Sequence, residues 1–178
     1  MNVVKTLFLI TIINLIFTIK SNAQDHLSAD KLASTVYLEA YGNNMVYSLN
    51  YEKVLYIGKA IMTTYRAGIG GVPNRFGIPL GIHFLKGSRG KYLDMAVGLS
   101  YVYGSQVISS STGKERGEGI FLAPTIGYRR QLQKGFFFRA NAGLNIKLKE
   151  YNKTMGKSGL LPIIGISFGH SFGSKIKG

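Results

Sequence analysis

The sequence predicts an all-β protein, an eight-stranded antiparallel up-and-down transmembrane β-barrel. Three observations carry this. Glycine makes up 23 of 178 residues, about twice the usual ~7%, which favours tight turns and closely packed strands over a helical bundle. Apolar and small or polar residues alternate with a period of two in eight successive stretches, the pattern of strands with two unlike surroundings. In the last stretch Ile164, Ile166, Phe168, His170 and Phe172 oppose Gly165, Ser167, Gly169 and Ser171. One face is bulky and apolar. The other is polar but nearly without volume, as expected where strands crowd around a narrow lumen. Closing that strand on the first removes the sheet's open edges, a requirement for a sheet that crosses a bilayer.

The chain begins with a predicted secretory signal peptide, residues 1–23. Lys5 supplies the basic n-region, Leu7 to Ile19 the apolar core, and Ser21-Asn22-Ala23 the small residues of a cleavage site. The apolar run is shorter than the ~20 residues needed to span a bilayer as a helix. Residues 24–34 form a polar lead-in, 35–173 the barrel, and 174–178 a basic tail.

Strands are expected at 35–41, 45–53, 61–70, 75–85, 92–103, 120–130, 136–148 and 160–172. Most have about the ~9–11 residues that a tilted membrane strand requires. Longer loops are expected after the third, fifth and seventh strands (70–74, 104–119 and 149–159) and shorter links after the fourth and sixth (86–91 and 131–135). Alternating long and short connections match a barrel with one outer and one periplasmic rim. The Gly68–Gly71 cluster is read as a turn. Pro79 and Pro124 fall inside predicted strands. Each lacks the ladder N–H, so each is expected at a bulge or near a displaced strand boundary. Tyr51, Phe84, Tyr128, Phe136 and Phe172 gather near one rim, and Tyr47, Phe76, Tyr101 and Tyr103 near the other, as interfacial girdles do.

The same alternation sets the lumen. It turns Glu39, Glu52, Asp94, Arg66, Arg129, Arg139 and Lys147 inward. An Arg or Lys facing lipid near midplane costs about 2–4 kcal/mol, which fixes the facing of Arg66 and Arg139. An eight-stranded barrel is only wide enough for side chains to fill it. The seven charges are therefore read as a structural cluster that plugs the lumen and fixes the register.

The formal charge is +14, falling to +12 without the leader, whose charges are Lys5 and Lys20. With an export signal in place, this balance points to anionic head groups and lipopolysaccharide, with no nucleic acid as partner. The chain has no Cys, so disulfides and Cys-based metal sites are excluded. No cofactor motif, metal-ligand spacing or phosphate loop is present. His170-Ser171 is the one pair that invites a hydrolase reading. Adjacent strand residues point to opposite faces, so the two cannot by themselves form a nucleophile–base contact. The polar 104–119 loop is a candidate contact for a surface partner.

Three segments resemble a family of small outer-membrane β-barrel proteins of Gram-negative bacteria, of the OmpA/OmpX-like eight-stranded type. They are IPLGIHFLKGSRGKYLDMAVGLSYVYG (78–104), PTIGYRRQLQKGFFFRANAGL (124–144) and LPIIGISFGHSFG (161–173). The resemblance implies a monomeric, porin-like barrel in the cell outer membrane, inserted by the barrel-assembly machinery. It implies no particular activity. The expected role is structural or surface-interactive. The alternatives are a lipid-modifying outer-membrane enzyme and a secreted soluble barrel that binds a ligand inside. The soluble barrel makes an opposite demand, with Arg139, Asn141, Asn145 and Lys147 in solvent and Ile78, Leu80 and Ile82 lining the cavity.

Overall fold

A computed structural model describes residues 33–42, 45–72, 75–107, 114–132, 134–150 and 160–173. The predicted signal peptide, most of the expected lead-in and the expected basic tail lie outside the described residues. The strands are β1 (Ala33–Ala40), β2 (Tyr47–Ile57), β3 (Met62–Val72), β4 (Arg75–Ser88), β5 (Lys91–Val107), β6 (Lys114–Gln131), β7 (Gly135–Glu150) and β8 (Leu160–Gly173). Each pairs antiparallel with its neighbour in sequence, and β8 closes on β1. The lead-in is shorter than expected, because Ala33 and Ser34 already pair with β8.

The register measures the stagger of the wall. An outward-facing path runs Val36, Tyr51, Ala67, Leu80, Leu99, Leu122, Ile146, Leu160. It ends ten residues before His170, which is Val36's own partner. Strand tilt and stagger are linked in this way in any closed barrel.

The facing decides between membrane and soluble barrels. Ile78, Leu80 and Ile82 are 41%, 46% and 46% exposed, whereas Arg129 and Arg139 are fully buried. Asn141 and Asn145 are buried as well. The exterior is apolar along all eight strands and the interior polar. This is a β-barrel of the outer-membrane type, and the soluble ligand-binding arrangement is inverted relative to it. The glycines on the inner face make room for larger neighbours. A Cβ on Gly169 would lie 2.6 Å from Tyr37 Cα, and one on Gly165 would lie 2.5 Å from Asn141 Oδ1.

Several local expectations are corrected. Gly68–Gly71 is not a turn. It lies within β3, which runs to Val72, and β4 begins at Arg75, so most of the expected 70–74 loop is strand. A Cβ on Gly70 would press on Met45 Sδ at 2.7 Å, so this glycine serves packing. Neither internal proline sits at a bulge. At Pro79 the register holds from Ala67↔Leu80 to Gly70↔Gly77 while the two intervening pairs are missing. At Pro124 it holds from Leu122↔Ile146 to Thr125↔Gly143 with the same kind of gap. The ladder is interrupted without a change of register. The bulges lie instead between Val54 and Tyr56 on β2 and beside Ile120 and Phe121 of β6. The expected 104–119 loop is mostly strand. Ser105, Gln106 and Val107 pair with Arg116, Glu115 and Lys114, and the two strands stand beyond their other neighbours as a ribbon. The fourth connection is a two-residue turn, Arg89-Gly90, with φ of 52° and 77°. Positive φ at both positions is what a tight hairpin turn with the wall's twist requires.

Candidate functional site: the charged lumen

The inward phase of each strand places one or two polar groups at mid-height. β1 contributes Tyr37 and Glu39, β2 Asn50 and Glu52, and β3 Thr64 and Arg66. β4 brings His83, β5 Asp94, β6 Arg129 and Gln131, and β7 Arg139. All of these are buried. Glu39 is bidentate across the lumen. Its Oε2 accepts from Arg66 at 3.0 Å and its Oε1 from Arg139 at 2.5 Å. Glu52 Oε1 accepts from Arg129 and from the Thr64 hydroxyl. Asp94 Oδ1 lies 2.8 Å from His83 Nδ1, and its Oδ2 lies 3.7 Å and 4.0 Å from the Arg129 and Arg139 guanidiniums.

Aromatic rings brace the guanidiniums from the side. Arg139 lies over Tyr37 at 5.1 Å, Arg129 lies over Phe137 at 4.9 Å, and the two rings stack on each other at 4.7 Å. Cation–π contacts of this kind add to the ion pairs where water is excluded. Gln131 accepts from Arg129 Nε at 2.9 Å and donates to Thr35 Oγ1, which lies 3.0 Å from Ser171 Oγ. The network thus crosses the β1–β8 closure.

Apolar side chains are buried beyond the charges. Val54, Met62 and Leu85 form one cluster, packed with Ile57 and Tyr92. Toward the other end Met45 and Val102 are buried and line a cavity of about 200 Å³. The charges are themselves buried, where paired ions interact more strongly than in water and unpaired ones cost most.

Of the seven residues singled out from sequence, six meet in this network. Lys147 lies apart from it, half-buried near the outer end of β7, opposite Phe121 and beside the bulge. The sequence reading missed His83, Tyr37 and Gln131. His83 shares the inward phase of Gly81, and that phase alone could have nominated it. His170 faces outward against the Phe172 ring at 4.8 Å, while Ser171 is buried in the lumen. The two do not meet. Among the described residues, no group of three or more His, Cys, Asp or Glu is placed to hold a metal ion.

No protein-family model matches the chain, and no curated protein matches it. Among solved structures it is similar to the N-terminal β-barrel domain of Pseudomonas aeruginosa OprF. The TM-score is 0.49 at 13% sequence identity, over 80% of this chain and 98% of that one. It is also similar to Neisserial surface protein A, with a TM-score of 0.39 at 10% identity, over 82% of this chain and 95% of that one.

Proposed function

We propose that this chain is an integral protein of the Gram-negative outer membrane with a structural or surface-interaction role, neither a pore nor an enzyme. The observation that carries the reading is the filled, cross-braced lumen inside an apolar wall. Arg129 and Arg139 are committed to carboxylates and ring faces, and an apolar cluster of Val54, Met62 and Leu85 lies beyond them. The seven-residue cluster is read here as structural, with Lys147 at its periphery. The exposed exterior meets outer-membrane lipid and lipopolysaccharide. Insertion by the barrel-assembly machinery follows from the same reading. The Ser105–Val107/Lys114–Glu118 ribbon is the proposed contact for a surface partner.

Two measurements test this. Cell fractionation is expected to place the chain in the outer membrane, with a mobility on denaturing gels that shifts on boiling. In planar bilayers the purified protein is expected to show no steady conductance. Recovery as a soluble periplasmic protein, or stable single-channel steps, would overturn the proposal.

A further inference from the structure

Two cations face each other on the outside of the wall, at the rim that carries the Arg89-Gly90 turn. Lys91 opens β5 and stands directly opposite Arg130 of β6. Both are exposed. Arg130 points outward between the buried Arg129 and Gln131, and Lys91 shares the outward phase of Leu93. The Gln131 N–H donates to the Gly90 carbonyl at 2.8 Å. Gly90 and Gln131 are therefore a hydrogen-bonded pair. Lys91 and Arg130, one step along the ladder, are a non-hydrogen-bonded pair, the kind in which opposed side chains stand closer. Like charges set directly opposite one another in this way repel. Lys134, exposed in the following link, adds a further cation on the same rim.

No carboxylate answers this pair. Among the described residues, neither Lys91 nor Arg130 makes an ion pair or a side-chain hydrogen bond. Glu39, Glu52 and Asp94 are buried in the lumen. Glu115, Glu118 and Glu150 lie at the opposite end of the barrel by register. The next outward pair into the wall is Leu93↔Tyr128, and both of these are exposed. Two residues along a strand span about 7 Å. On the membrane reading above, which this inference rests on, Leu93 and Tyr128 meet the edge of the hydrocarbon layer on the periplasmic side. Lys91 and Arg130 then stand at the depth of the lipid phosphates, outside the barrel and against the leaflet.

We infer that Lys91 and Arg130 together bind the phosphate of an anionic phospholipid of the periplasmic leaflet, with its glycerol and first acyl carbons against Leu93 and Tyr128. The guanidinium meets phosphate oxygens two at a time, and the ammonium adds a point charge beside it. An anion shared in this way turns a repulsive pair into a bridged one. The site also selects among lipids. A phosphatidylglycerol head group brings one negative charge and no cation. A phosphatidylethanolamine head group carries its own ammonium into a place that already holds two cations and no described carboxylate to receive a third.

The chain has no Trp, so one introduced indole reports on one place. The test reconstitutes full-length Tyr128→Trp in vesicles of phosphatidylethanolamine and phosphatidylglycerol, with bromine on the acyl chains of one lipid or the other, and measures fluorescence quenching. Quenching is expected to show a preference of about fivefold for phosphatidylglycerol, the worth of one basic residue at an anionic surface. Leu38→Trp, on the outward face of β1 across the barrel, should be quenched by both lipids alike. Adding Lys91→Gln and Arg130→Gln to Tyr128→Trp should remove the preference and leave the quenching itself and the heat-dependent gel shift intact. Equal quenching of Tyr128→Trp by the two lipids would by itself overturn the proposal, and so would a preference that survives the double substitution. Loss of the preference in millimolar inorganic phosphate at constant ionic strength would also overturn it, in favour of a site for free anions. If the membrane reading itself failed, neither indole would be quenched by either lipid, so the two failures are distinguishable.

Discussion

Glu39 joins β1 to β3 and β7 through Arg66 and Arg139, so the losses from changing these residues should not add. Arg139→Met would leave Glu39 with Arg66 alone and Asp94 with His83 and Arg129, each beside a new apolar side chain. The expected loss is about 3–5 kcal/mol, the usual cost of breaking a buried pair, measured as a shift in the urea midpoint of the micelle-bound protein. Adding Glu39→Gln should recover part of that loss, with a coupling of about 0.5–3 kcal/mol. Simple additivity would show that the pair is not coupled. Gly169→Ala should cost about 1–3 kcal/mol by overpacking, because the new Cβ meets Tyr37. Facing was legible at this scale, since a period of two assigns every residue to one face. Height along the barrel axis was not. Lys147 and Arg139 share a phase, and nothing in the alternation says that one reaches the network while the other lies near the outer end. His83 escaped for a related reason. Its partner Asp94 is reached only once β4 and β5 are paired in register.

Among the elements, the strands were legible in number, order and facing, and their ends less so. β5 and β6 run on past the apolar band as a polar ribbon, because ladder hydrogen bonds satisfy backbone groups whatever the side chains are. Alternating hydrophobicity marks the lipid-facing part of a strand and not its full length. The prolines misled for a similar reason. Each costs ladder hydrogen bonds with one neighbour, which neighbouring pairs in the same register can bridge. Depth should be measurable on β5, where Val97 and Tyr103 both face outward. Val97→Arg is expected to destabilise by about 2–4 kcal/mol and Tyr103→Arg by about 0–1 kcal/mol, as for midplane and interfacial positions. Equal penalties in reversible unfolding into lipid vesicles would mean that the wall sits at a different height in the bilayer.

Across the whole molecule, the shortest strand is also the one that closes the barrel. β1 has eight residues, against eighteen for β6. The pairs formed by β5 and β6 are local hairpin pairs, while those between β1 and β8 join opposite ends of the chain. Loop closure across such a separation is entropically late. The β1–β8 ladder is thus expected to be a mechanical seam, the last line to zip during insertion and the first to part. Its amides should exchange with deuterium faster than those of β5 and β6 in the folded protein. Glu39→Gln should quicken them further while leaving β5–β6 exchange unchanged. Seen in this way, the Glu39–Arg139 ion pair is a latch. It engages only when the last strands dock on the first, and a barrel that has not closed leaves Glu39 to Arg66 alone.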